Sequence, residues 1–257
     1  MFQGEFAAVG QAAAGKVAVV RENWSRYLLA SVLAGFYIGL GILAMSTSGG
    51  VLTVSGHPLA KFANAFVFPA ALSLVVFAGA ELFTGNVFVM TAGLVGRTVH
   101  GRDALPVLLL SYLGNLFGSL LCAGLFAATG LLSGGTAAFI QSTAEAKVSL
   151  SAVALLSRGI FCNSLVCLAV WCCTRMKSES GKLILIFWCI FVFVLCGFEH
   201  SIANMTLLAL ALLTPHGPVL SLSGAIYNLF FVTVGNILGG ALFVGGAYAY
   251  LGRAGRH

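Results

Sequence analysis

The sequence predicts an all-α integral membrane protein with six transmembrane helices, the second and fifth of them broken. Three observations carry this expectation. Hydrophobic residues make up 60% of the 257-residue chain and charged residues only 8%, against about 25% charged in ordinary soluble domains. Six apolar stretches are long enough to cross a bilayer, and two of these are interrupted by a polar cluster. The basic residues fall between the stretches in a pattern that places most of them on one side.

The first 25 residues lack a compact apolar core followed by a small-residue cleavage site, so no cleavable signal peptide is expected. Gly10 to Val20, with Lys16, Arg21 and Arg26 nearby, reads instead as a short amphipathic or interfacial helix within a cytoplasmic segment 1–26. A spanning helix needs about 20 predominantly apolar residues. Candidates lie near Tyr27–Met45, Phe62–Leu94, Leu105–Leu132, Leu150–Cys173, Leu183–Leu213 and Leu220–Leu251. The second and fifth are too long for one straight span. Each contains a polar interruption, Glu81–Asn86 in one and Glu199–Asn204 in the other. Non-helical backbone at membrane depth is tolerated only where it is buried in protein or lines a cavity, which makes these two places candidates for a transport path.

Loop charges set the orientation. Lys16, Arg21, Arg26, Arg97, Arg102, Arg175, Lys177, Lys182, Arg253 and Arg256 fall together if both termini lie on one side, while Lys61 and Lys147 fall on the other and Arg158 lies inside the fourth segment. Both termini are therefore expected in the cytoplasm. This distribution also accounts for the formal charge of +6 without a nucleic-acid partner, because the basic residues form no single patch. The seven cysteines include no CxxC pair, and Cys122, Cys162, Cys167, Cys172, Cys189 and Cys196 lie in or beside apolar segments. They are read as small buried hydrophobes, with neither a metal site nor a disulfide framework expected.

The chain is written twice. Glu81-Leu-Phe-Thr-Gly-Asn86 aligns with Glu199-His-Ser-Ile-Ala-Asn204, and Gly114-Asn115-Leu-Phe-Gly118 aligns with Gly235-Asn236-Ile-Leu-Gly239, at offsets of 118 and 121 residues. The two halves, about 27–132 and 150–251 of a single membrane domain, each hold three spans and must insert with opposite topology. Inverted repeats with paired broken helices place a substrate path at the repeat interface.

His200 is the ionisable residue singled out by chemistry alone. It lies in the fifth-span interruption, deep in apolar sequence, where an ionisable side chain is expensive to keep. Imidazole titrates close to physiological pH, so its surroundings decide its protonation. Glu81 and Glu199 are expected to accept hydrogen bonds from backbone N–H groups freed at the helix breaks, with Asn86 and Asn204, and also Asn115 and Asn236, in similar supporting work. Asn163 is expected to help hold the fifth-span loop. The glycines at 114–118 and 235–240 are read as close helix contacts.

The stretches Ala80-Glu-Leu-Phe-Thr-Gly85, Cys162-Asn-Ser-Leu-Val-Cys-Leu-Ala-Val-Trp171 and Gly197-Phe-Glu-His-Ser-Ile-Ala-Asn-Met205 resemble three hallmark segments of the formate/nitrite transporter family. The resemblance runs in order through the whole chain. It implies an aquaporin-like protomer, a homopentamer with one pore per protomer, a bacterial cytoplasmic membrane, no bound cofactor and no enzymatic activity. It implies that Thr84 lies near His200, that Lys147 draws anions to the outer mouth, and that Phe68, Leu72, Leu82, Phe83 and Phe193 form two apolar constrictions around the histidine. Glu81 followed by Thr84-Gly85 looks closer to the nitrite and hydrosulfide branches than to the formate branch.

The expected function is thus passage of a small monovalent weak-acid anion together with protons, nitrite foremost and formate or hydrosulfide as alternatives. An aquaporin-type water or glycerol channel is disfavoured because paired Asn-Pro-Ala motifs are absent. A membrane-embedded enzyme or haem protein is disfavoured because no paired histidines occur in the spans and His57, His100, His216 and His257 fall at loops or the terminus.

Overall fold

The computed structural model describes residues 2–54 and 56–252, and all regular structure within them is helical. Arg253, Arg256 and His257 lie outside the described residues. Six helical segments are long and apolar enough to cross a membrane.

The first helix, α1 (Gln3–Val54), bends at Asn23, whose backbone leaves the helical region at φ −156° and ψ 80°. The side-chain oxygen of Asn23 accepts from the Ser25 hydroxyl (2.7 Å) and the Arg26 N–H (3.2 Å), so it caps the piece that follows. The piece before the bend buries Phe6, Val9, Ala13 and Val17, one face of a helix at three- and four-residue spacing. The interfacial helix expected at 10–20 therefore begins seven residues earlier, and the first span continues past Met45.

The second span is split twice. Helices α2 (Ala60–Val67) and α3 (Ala70–Phe77) are separated at Phe68–Pro69, where proline lacks the N–H that would continue the ladder. Extended backbone then leads to α4 (Phe83–Val95). Only the second of these breaks was expected, and it sits slightly earlier than the polar cluster suggested. Thr84, Gly85 and Asn86 belong to the first turn of α4 rather than to the interruption. A long helix α5 (Gly101–Ala128) completes the first half. The connection after it contains α6 (Gly134–Val148), a helix too polar to register as a span.

The second half repeats the plan with α7 (Ala152–Arg175), α8 (Glu179–Cys196), a break at Gly197–His200, α9 (Ser201–Leu212) and α10 (Leu222–Leu238). Gly197 ends α8 at φ 75°, a left-handed position that suits glycine. The last span relaxes into a π-helical stretch, Gly239–Gly246, before α11 (Ala247–Gly252).

Matched glycines bring helices into contact in both halves. A Cβ on Gly118 would collide with the Val32 carbonyl of α1, and one on Gly239 with the Ile160 carbonyl of α7. Without side chains at these places the backbones approach to a distance that larger residues forbid. Leu109, Leu113 and Phe117 of α5, Trp188 of α8 and Phe230 of α10 are more than half exposed. Lipid is the solvent for which such surfaces are ordinary.

Candidate functional site

Helices α4 and α9 start near the middle of the protein and run apart. Just beyond the end of α4, the Thr98 hydroxyl donates to the Gly10 carbonyl in the N-terminal helix (2.8 Å). At the end of α9, the Gln141 amide of α6 donates to the Thr214 hydroxyl (3.0 Å). Their N-terminal ends meet. Thr84, in the first turn of α4, places Oγ1 3.1 Å from Nε2 of His200, the residue that caps α9. Both are buried, at 0% and 3% exposure. The positive ends of two helix dipoles therefore converge on one polar pair in an apolar layer.

The hydrogen bonds assign the imidazole tautomer. Nδ1 accepts the Ala203 N–H at 3.2 Å. In the neutral ring the proton consequently sits on Nε2 and is donated to Thr84 Oγ1. The threonine O–H then remains free to donate onward.

Two asparagines hold the half-helices, in the same way in each half. Asn115 of α5 accepts the Phe83 N–H (2.8 Å) and donates to the carbonyls of Ser31 (2.7 Å) and Glu81 (2.9 Å). Asn236 of α10 accepts the Ser201 N–H (2.9 Å) and donates to the carbonyls of Gly159 and Glu199, both at 2.9 Å. Each asparagine thus satisfies backbone groups orphaned by the break.

That role was expected of Glu81 and Glu199 as well as of the asparagines, and the structure assigns the two carboxylates another. The Glu81 carboxylate accepts from Lys16 (2.5 Å), Tyr27 (3.1 Å) and Asn86 (3.0 Å). Glu199 accepts from Lys147 (2.7 Å) and Asn204 (2.6 Å), and Asn204 also donates to Asn228 (2.9 Å). A carboxylate carries full charge and needs a cation where water is scarce, whereas a neutral amide suffices for a backbone N–H. Lys147 is therefore not a free charge at the mouth, because its ammonium is paired. Asn163 likewise differs from expectation. It donates to the carbonyls of Thr84 (3.1 Å) and Asn236 (2.7 Å), anchoring the second-span half-helix rather than the fifth-span loop.

A cavity of about 570 Å³ opens on the Lys147 side and ends at His200. Phe68 and Phe193 line it with their rings 5.7 Å apart, and the Phe193 ring lies nearly parallel to the imidazole at 6.0 Å. Lys147, Asn204 and Glu199 are also on its walls. Leu72, Leu82 and Phe83 are buried in the apolar core, and Phe83 packs edge-on against Tyr112 of α5 (4.9 Å). Phe68 and Phe193 are thus brought to the cavity, while these three are not among its lining residues.

Sequence reasoning missed Lys16 and Tyr27 as partners of the Glu81 carboxylate, and Asn228, which accepts from Asn204 and donates to the Lys147 carbonyl. Each lies in a different segment from the residue it holds, so no local spacing marks it. The repeat offers the one available signal, since a lysine found for Glu199 demands a counterpart for Glu81.

Opposed half-helices that meet at a buried polar pair inside a multi-pass helical fold are the architecture of membrane transport proteins. A sequence model of the formate/nitrite transporter family matches residues 5–250, and the chain belongs to that family of anion channels and transporters, not to an enzyme family. It is 40% identical to the nitrite transporter NirC of Escherichia coli (strain K12), over 87% of this chain and 82% of that protein. Among solved structures, one described as an FNT family ion channel superposes with a TM-score of 0.92 at 35% identity, covering 97% of this chain and 99% of the other. A second, described as a pentameric formate channel with formate bound, gives 0.77 at 26% identity, covering 88% and 96%.

Proposed function

We propose that this protein passes nitrite across a bacterial cytoplasmic membrane, as a homopentamer with both termini in the cytoplasm and a pore in each single-domain protomer. The observation that carries the reading is the Thr84–His200 pair at the junction of two opposed half-helices. A bare charge at mid-membrane costs several kcal/mol. Convergent helix dipoles and a hydroxyl that donates offset part of this for an anion. Hydrogen-bond donation by the Thr84 hydroxyl, whose oxygen accepts the Nε2–H of His200, offsets part of the anion's charge, and a proton taken from the acidic side makes the passing species its neutral acid. Phe68 and Phe193 form a dry collar that opposes unassisted ions on the Lys147 side, and Leu72, Leu82 and Phe83 support the opposite barrier from the core.

Nitrite is preferred over formate because the nitrite relative is slightly the more similar, at 40% identity against 36% for a probable formate transporter of Methanothermobacter thermautotrophicus. Glu81 and Thr84-Gly85 point the same way. Formate and hydrosulfide are the second reading, since both are small weak-acid anions. Flux into proteoliposomes, with nitrite, formate and hydrosulfide compared at two pH values, tests this. Preferred nitrite uptake that rises as the outside is acidified supports it. Formate uptake exceeding nitrite would reassign the substrate, and uptake of all three independent of pH would remove the proton-sharing step.

A further inference from the structure

The ion pairing in the vestibule leaves an unexplained surplus of positive charge. Four ionised side chains line the cavity above His200, namely Lys61 of α2, Lys147 of α6, Arg158 of α7 and Glu199. Lys147 and Glu199 neutralise each other at 2.7 Å. Arg158 and Lys61 have no ion-pair or side-chain hydrogen-bond partner among the described residues, and they supply the remaining formal charge of +2. Arg158 is the more telling of the two. It lies inside a membrane-spanning helix, where an arginine that only decorates a surface would be costly. Side chains on a helix tilt toward its N-terminus, which for α7 is the mouth of the cavity. Asn64 lies on the same wall as Lys61 and accepts from the Ser48 hydroxyl (2.8 Å), while its own amide N–H donors have no partner among the described residues.

We infer that Arg158 and Lys61, with the Asn64 amide, form an anion-collecting site in the vestibule, and that Lys147 serves chiefly to hold Glu199. The inference rests on the reading of the protein as an anion channel. A monovalent anion entering the cavity meets two uncompensated cations and a neutral donor before it reaches the Phe68–Phe193 collar. A site of this kind raises the local anion concentration without tight binding. The ligand class is a small monovalent oxyanion or hydrosulfide, held by guanidinium and ammonium donors.

The test is initial nitrite uptake into proteoliposomes as a function of nitrite concentration, at low and high concentrations of an inert salt. Arg158→Gln and Lys61→Gln are each expected to raise the half-saturating concentration about three-fold and the double variant about ten-fold, with a weaker dependence on ionic strength and the saturating rate retained. Arg158→Lys, which keeps the charge, is expected to stay near the wild type. The neutralising double variant Lys147→Met/Glu199→Gln leaves the net vestibule charge unchanged, so its ionic-strength dependence is expected to match the wild type whatever its rate. If Arg158→Gln does not assemble, Lys61→Gln, at an exposed position, reads the same effect. Wild-type concentration and salt dependence in the assembled glutamine variants would overturn the proposal. Wild-type liposomes that admit none of nitrite, formate or hydrosulfide would overturn the channel reading, and this one with it.

Discussion

Thr84 Oγ1 and His200 Nε2 stand 3.1 Å apart although 116 residues separate them in sequence. With Nδ1 engaged by the Ala203 N–H, the imidazole has one direction in which to give its proton, and that direction is the threonine. The pair joins the two halves of the repeat at the point where both helices are broken. Under the proposed function, its hydroxyl is the donor through which a fixed histidine acts on a moving anion.

Replacing His200 by Asn keeps a side chain able to cap α9 but removes the exchangeable ring proton. The variant is expected to assemble normally and to lose the pH dependence of nitrite flux. Stopped-flow uptake across a pH series checks this, and an unchanged pH profile would mean that the proton is shared elsewhere.

Thr84→Val keeps the shape and deletes the hydroxyl, leaving Nε2–H without its acceptor. A hydrogen bond to a charged group is worth about 1.5–3 kcal/mol, so flux is expected to fall about 10- to 100-fold. Thr84→Ser is expected to recover most of it. Equal flux in the valine and serine variants would show that the hydroxyl is only bonded to its neighbours.

In the Lys147–Glu199 pair the carboxylate is buried and the lysine half-buried, with side-chain exposures of 3% and 17%. Removing one partner strands the other charge, at a cost of about 3–5 kcal/mol. Thermal unfolding in detergent is expected to show Lys147→Met as far less stable than Lys147→Met/Glu199→Gln. The opposite order would mean that Asn204 alone suffices to hold the carboxylate.

Asn115 and Asn236 make the same three hydrogen bonds in their respective halves. Each alanine variant is expected to lose about 2–4 kcal/mol, and the two losses are expected to be similar. A loss at one position and none at the other, read as a shift in Tm, would show that the two half-helices are held differently.

Gly118→Ala forces a methyl against the Val32 carbonyl and is expected to prevent normal assembly, whereas a Cβ on Gly124, in the same helix, meets nothing within 4 Å. Gly124→Ala is expected to be neutral or to stabilise by about 0.5–1 kcal/mol, since alanine favours the helix. Elution profiles of the two variants separate close packing from simple helix propensity.

Much of the fold was legible because the membrane imposes it. Apolar length marks each span, and the polar clusters at 81–86 and 199–204 mark the breaks to within a few residues, since backbone freed in lipid must find partners. Pro69 was also visible, but its consequence was not, because a proline inside a span can kink a helix or end it. Helix α6 escaped notice because its sequence is too polar for a span and its faces carry no clear period. His200 was found by its cost in an apolar segment. Lys16, Tyr27 and Asn228 were not, because a residue that matters only as a partner looks ordinary until the partner is placed beside it.

By itself, the sequence determined that the protein crosses a membrane six times, that its two halves correspond, and that a histidine is held in the break of the fifth span. These follow from composition and local pattern, which lipid reads directly. Only the tertiary structure decided which side chains complete the site. It fixed the contact of Thr84 with His200 that the family resemblance implied, gave the backbone bonds of the half-helices to Asn115 and Asn236 rather than to Glu81 and Glu199, and tied Lys147 to Glu199 while leaving Arg158 and Lys61 without an ion-pair partner among the described residues. Those are choices among partners far apart in the chain, and they are made by the packing of helices whose contacts no local spacing records.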